Sequence, residues 1–293
     1  MRSFPIGFSP EPFLVEITNK VVIMADATGS PNKKLLQLIK EGGKGLLYPE
    51  MKYFSKKAES TPGQEQTTPE NLGVHALKTL SRMRRSLDNL WGNIFLKLDR
   101  DDRHLLFTGC SRRDGTSFIV FHLAMYLALD HHLKVLYVDT DVESGTRDEV
   151  IYYPAGNQGL ASYFMGEAKL PDLVLDTNIE GFKIMPSGAG LSRNAPSSHI
   201  ITRQDLLDDL FAFNRSNFDM VIYDAKPVTL SPLSMCFAKL ANQVFMVCRY
   251  ASTRREVCMQ GVDKFRQNNV DVSGMLLNDR QFPIPKMIYD LLR

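Results

Sequence analysis

The sequence predicts an α/β fold, a mostly parallel sheet flanked by helices, with an irregular N-terminal extension. Two observations carry this. From residue 105 onward, short apolar β-branched runs alternate with segments of helical spacing, the pattern of parallel strands covered on both faces. The chain also has the material for at least one large core: 293 residues, 44% of them hydrophobic and 23% charged.

Taken in order, residues 1–70 read as an extension and linker, and residues 71–293 as the α/β domain. The first segment carries scattered prolines (Pro5, Pro10, Pro12, Pro31, Pro49, Pro62, Pro69) and closes on the polar stretch Ser60–Pro69, a linker signal. Within it, Lys20–Met24 suits a short strand and Asn32–Ile39 a short helix. From Leu72 to Leu98, apolar residues at Leu77, Leu80, Leu87, Leu90, Trp91 and Ile94 predict one long amphipathic helix, with Arg82, Arg84 and Arg85 among the residues between. Strands follow at Leu105–Thr108, Lys134–Val138, Phe182–Met185, Met220–Tyr223, Gln243–Val247 and Val272–Leu277. Helices are expected at Ser117–Leu129, Gly159–Gly166, Arg203–Phe213, Ser234–Ala241 and Thr253–Gln267.

The formal net charge of +2 argues against bulk binding to nucleic acid. No run approaches the roughly 18 apolar residues of a membrane-spanning helix, and Met1–Pro5 lacks the apolar core of a signal peptide. The expected location is therefore cytoplasmic, with membrane contact only through a partner. Cys110, Cys236, Cys248 and Cys258 lack metal-site or secreted-framework spacing and read as reduced, mostly buried thiols. The six histidines show no ligand spacing; His131–His132 reads as a helix C-terminal cap, and Trp91 as a core residue. Arg254–Glu256 reads as a solvated first helical turn.

Three strand ends carry chemistry, and an α/β sheet binds its ligands at the carboxyl ends of its strands. His104–Ser117 reads as strand, turn and helix start, the layout of a phosphate-binding loop, but Thr116 stands where the G-x-x-x-x-G-K-[ST] pattern needs lysine. Asp139 and Asp141 follow the next strand, and Asp224 ends a later one. Carboxylates placed there can hold Mg²⁺ through its water shell and orient an attacking group.

From about Leu77 to Arg293, these motifs resemble the cytoplasmic domain of bacterial tyrosine autokinases of capsule and exopolysaccharide synthesis, in the MinD/ParA-like branch of P-loop NTPases. Thr108–Phe118 is similar to the family's Walker A strand and loop, Val135–Asp141 to its second acidic motif, and Phe218–Val228 to its Walker B stretch. Gly159–Ala168, Pro186–Gly188 and Gly274–Pro285 fit its internal helix, the turn after the next strand, and its last core strand. The resemblance implies ATP or ADP with Mg²⁺. Catalytic roles fall to Asp139, Asp141 and Asp224, and metal contacts to Ser117, Asp141 and Asp224. The nucleotide set is Cys110, Arg112, Arg113, Gly115, Thr116, Ser117, Asn278 (at adenine) and Arg280.

The chain departs from the pattern at Thr116, at Cys110 and Arg113 (usually small or glycine), and at Lys226 (usually proline). Losing the lysine removes several kcal/mol of transition-state stabilisation in order of magnitude, so phosphoryl transfer is expected to be crippled. Arg112, Arg113 and Lys226 are the substitutes within reach in sequence, although an arginine fork meets phosphate in a different geometry. The family's C-terminal tyrosine cluster is reduced to Tyr289, and its E-x-x-R-x-x-R helix to Arg82 and Arg85 with Thr79 in the Glu position, or in another register to Lys78 with His75. Homo- and hetero-oligomers both stay open.

The expected function is a degenerate, non-catalytic regulatory subunit that docks a membrane-bound polysaccharide chain-length or export protein, peripheral at the inner membrane through that partner. Its rivals are an active autokinase or ATPase with arginine replacing the lysine and, more distantly, a MinD/ParA-like positioning ATPase. The last would need an amphipathic anchor or a basic face.

Overall fold

The computed structural model describes residues 14–17, 21–24, 72, 74–144, 158–191 and 198–279. Helices α1 (Val74–Phe95), α2 (Thr116–His131), α3 (Leu160–Phe164), α4 (Ser198–Thr202), α5 (Gln204–Asn217), α6 (Leu233–Leu240) and α7 (Arg255–Gln267) surround one sheet. Its strands are β1 (Leu14–Ile17), β2 (Val21–Met24), β3 (His104–Gly109), β4 (Val135–Asp139), β5 (Leu175–Asp176), β6 (Phe182–Met185), β7 (Met220–Ala225), β8 (Gln243–Arg249) and β9 (Gly274–Asn278). They lie in the order β1-β2-β9-β8-β3-β7-β4-β6-β5. From β9 to β6 every pairing is parallel, while β1, β2 and β5 add antiparallel margins.

The α/β expectation thus holds, and the pleat explains it. Alternate residues of each central strand point to opposite faces. Leu105, Phe107, Val135, Tyr137, Ile222, Phe245 and Val247 join α1 and α2 in one core, whereas Leu106, Leu136, Val138, Val221, Tyr223, Met246 and Cys248 join α3, α5, α6 and α7 in the other. Helix α2 carries buried residues around most of its circumference, which suits the space between the sheet and α1.

Helix α1 needs one correction. Leu80, Leu87, Leu90, Trp91 and Ile94 are buried as expected, but Leu77 is 42% exposed. The buried stripe starts instead at Ala76, four residues before Leu80; Leu77 is turned about 100° from that line. Helix α7 starts at Arg255, two residues after the expected Thr253. Arg254 is its exposed N-cap, in keeping with a solvated first turn. His132 caps α2 in the left-handed conformation with its N–H on Leu127 O.

The strand expected at Lys20–Met24 is β2, paired antiparallel with β9. The helix expected at Asn32–Ile39, the Ser60–Pro69 linker, Arg280 and Tyr289 lie outside the described residues. Strand β5 and helix α4, two and five residues long, carry too little periodicity to be legible in sequence. Among the described residues, no helix is long and apolar enough to cross a membrane.

A buried polar knot lies under the amino ends of the central strands. His104 Nδ1 lies 3.0 Å from the Tyr223 hydroxyl, which also accepts a 3.0 Å bond from Asn214 Nδ2. Burial, then nearby Arg215 and Arg103, lowers the His104 pKa to about 4, so the ring is neutral in the fold.

Candidate nucleotide site

Parallel order brings β3, β7 and β4 side by side, so the segments leaving their carboxyl ends face one another. That places Cys110–Ser117, Asp224–Lys226 and Asp139–Ser144 at one end of the sheet. The three expected carboxylates and the expected phosphate loop are therefore brought to a common site by topology alone.

The loop leaves β3 with Cys110 N–H on Val247 O at 2.8 Å, and returns into α2 through Gly115 at φ +83°. Asp114, which sequence reasoning passed over, is its hub. This buried side chain accepts the Ser111 N–H at 2.7 Å and the Thr253 hydroxyl at 2.7 Å. Asn278 Nδ2 donates to Asp114 O at 2.8 Å and lies where a β-carbon on Gly115 would fall, only 2.2 Å from it. Glycine at 115 is thus required twice, by its positive φ and by Asn278. Asn278, expected at adenine, is here a clasp on the loop. The only sequence signal for Asp114 was an acid with Ser three residues before it, a common turn pattern.

Within the loop, Thr116 is buried, whereas Arg112 and Arg113 are exposed and form no ion pair among the described residues. Arg113 adopts φ +67°, the conformation behind the usual preference for glycine at its position, at a strain of about 1 kcal/mol. Cys110, Cys248 and Cys258 are buried in the same core and Cys236 is half-buried; all four are free thiols, as expected.

Asp224, the penultimate residue of β7, is buried. It accepts the Tyr137 hydroxyl at 2.8 Å and the Ser117 hydroxyl, and its backbone O takes Thr140 Oγ1 at 2.9 Å. Burial, then the neighbouring Asp139 carboxylate, raises its pKa to about 7 against those hydrogen bonds. Asp139 accepts the Asp141 N–H and the Ser187 hydroxyl, each at 2.9 Å, and burial raises its pKa to about 6. Tyr137 and Ser187 were not singled out in sequence. Tyr137 reads there as one more apolar strand residue, and Ser187 reaches the site only because β6 lies beside β4.

Asp141 turns to Lys226 instead. The Lys226 ammonium lies 2.5 Å from Asp141 Oδ1, 2.6 Å from Ser144 Oγ and 3.5 Å from Glu143 Oε2. Of the expected metal set, Ser117 and Asp224 meet, but Asp141 is held by a cation. Among the described residues no group of three or more His, Cys, Asp or Glu side chains is arranged to hold a metal ion. Asp141 is thus engaged in the fold, and Mg²⁺, which takes one or two carboxylates besides water and phosphate oxygens, would meet Ser117 and Asp224.

No family model matches the chain. It is 25% identical over 211 residues to the tyrosine-protein kinase wzc of Salmonella typhimurium, a match covering 72% of this chain but 27% of that protein. It is 21% identical over 179 residues to the tyrosine-protein kinase CpsD of Streptococcus agalactiae, covering 61% of this chain and 75% of CpsD. Among solved structures, the kinase domain of Escherichia coli tyrosine kinase ETK superposes with a TM-score of 0.57 at 20% identity, over 70% of this chain and 78% of that one. The chimerical protein CapA2B2 gives 0.60 at 23% identity, over 67% and 84%. The chain therefore has the fold of bacterial tyrosine-kinase domains and is similar to those kinases in sequence, while spanning only 27% of the length of the first relative.

Proposed function

We propose that residues 71–293 form a degenerate tyrosine-kinase-like domain, a non-catalytic regulatory subunit of exopolysaccharide or capsule synthesis with nucleotide as an optional ligand. One observation carries the proposal: the phosphate loop has no inward cation. Thr116 is buried where lysine would stand, Arg112 and Arg113 are exposed, and the Lys226 ammonium is engaged by Asp141. Backbone N–H groups of the loop and the α2 N-terminus still offer an anion cradle, so binding survives better than transfer.

The similarity to polysaccharide-associated kinases supports a membrane-bound chain-length or export protein as the docking partner, with this chain on the cytoplasmic side. Residues 1–70, of which Leu14–Ile17 and Val21–Met24 extend the sheet beyond β9 as β1 and β2, would be the linker-bearing extension of that assembly.

Calorimetric titration of ATP and ADP, each with Mg²⁺ and with EDTA, into wild type and Thr116→Lys tests the reading. A restored ammonium adds a charge-assisted bond of about 1.5–3 kcal/mol, so the variant is expected to bind roughly 10- to 100-fold more tightly. Phosphate release or tyrosine labelling by wild type above an Asp224→Ala control would show a working enzyme instead.

A further inference from the structure

We propose that the Lys226 ammonium is the resident cation of the carboxylate cluster and keeps divalent metal out of it. This deepens the reading above: the phosphate loop and strand ends become a metal-independent nucleotide site.

Geometry supports it from three sides. Lys226 follows β7, the strand between β3 and β4, and its backbone O is fixed by Thr108 Oγ1 at 2.7 Å. Its side chain, 17% exposed, sets the ammonium against Asp141 and Ser144, with Glu143 as a longer ion-pair partner. The remaining carboxylates are already supplied with protein donors, Asp139 by the Asp141 N–H and Ser187, Asp224 by Tyr137 and Ser117. A metal ion entering here would have to displace an ammonium in direct contact with Asp141 or sit beside it, and repulsion between like charges at such range is strong away from bulk water. Removing the lysine leaves Asp141 and Glu143 without their cation within electrostatic reach of Asp139 and Asp224, and a divalent ion entering with its water shell can then neutralise the excess charge.

The test is a Mn²⁺ titration of the full chain, read from the electron paramagnetic resonance of the free ion, on wild type, Lys226→Met, Lys226→Gln and Lys226→Met/Asp141→Asn. Two lysine variants are used so that one folded protein suffices. Wild type is expected to leave Mn²⁺ free at millimolar concentration. Either lysine variant should bind one ion at least about tenfold more tightly, and the double variant should lose that gain. Binding by wild type within a few-fold of the lysine variants would overturn the proposal, as would folded lysine variants that gain nothing. A fluorescent ADP titrated into the same proteins separates the two readings. Equal affinity in Mg²⁺ and EDTA for wild type, with Mg²⁺ dependence appearing in Lys226→Met, is the expected pattern. ADP binding by none of them would sink the nucleotide reading alone, with the Mn²⁺ result still deciding the role of Lys226.

Discussion

Gly159→Ala is expected to destabilise the fold by about 3 kcal/mol, the upper end of overpacking effects, with urea denaturation as the measurement. Gly159 has an extended backbone, so conformation is not the issue; space is. A β-carbon there would lie 2.2 Å from Gly188 N, 2.5 Å from Gly188 Cα and 2.6 Å from Pro186 O, all backbone atoms. Retreat is blocked because the N–H groups of Leu160 and Ala161 bond Pro186 O at 2.8 Å and Ser187 O at 2.9 Å. Moving α3 away breaks those bonds and pulls Ser187 from Asp139, so the disturbance reaches the carboxylate cluster. Gly92→Ala is the control. It sits inside helix α1 with nothing within 4 Å of the new β-carbon, and a gain of about 0.5–1 kcal/mol is expected. A loss below about 1 kcal/mol for Gly159→Ala would mean that the segment around Gly188 yields more readily than its hydrogen bonds suggest.

Asp224→Asn should change the pH dependence of stability more than any other single polar substitution. In the fold Asp224 holds its proton up to a pH of about 7, whereas the ordinary carboxyl releases it near 3.8. A raised acid pKa means that the folded state binds the extra proton between those values. Its stability contribution is therefore complete in acid and is lost as pH rises through about 7. At about 1.36 kcal/mol for each pH unit separating the two values, the loss is on the order of 4 kcal/mol. Asparagine has no charge to bury, so the stability difference between variant and wild type should move in favour of the variant by that amount from pH 4 to pH 8. Urea melts in EDTA at a series of pH values read it; a constant difference would mean that Asp224 titrates normally. His104 acts in the opposite sense. Its pKa falls from 6.5 to about 4, so its contribution is lost as pH drops through that window, in both proteins alike.

The sheet was legible because each of its central strands is apolar on both faces, and a run such as Leu105–Phe107 or Val221–Tyr223 has few other uses. Strand ends then placed Asp139, Asp141 and Asp224 together, since parallel order aligns carboxyl termini. What sequence spacing could not show is which donors those acids meet. Tyr137 reaches Asp224 from the adjacent strand, and Ser187 reaches Asp139 from 48 residues along the chain; neither contact leaves a trace in local pattern. Lys226 was visible as a departure, but whether its ammonium faced phosphate or carboxylate depended on the turn after β7. Leu77 misled for a simpler reason: one residue of helical phase separates buried from exposed. Asn278 was read for its ligand chemistry, whereas its amide meets the loop backbone, because β9 ends beside Gly115.

Cys110 is only 2% exposed, and hydrogen bonds with the Cys248 and Cys258 thiols, then burial, hold its pKa well above the ordinary range. Burial shields it from reagents while the strand-to-helix turn stays closed over it. The rate at which an alkylating reagent reaches Cys110 thus becomes a clock for breathing of that turn, one that runs in the unlabelled protein.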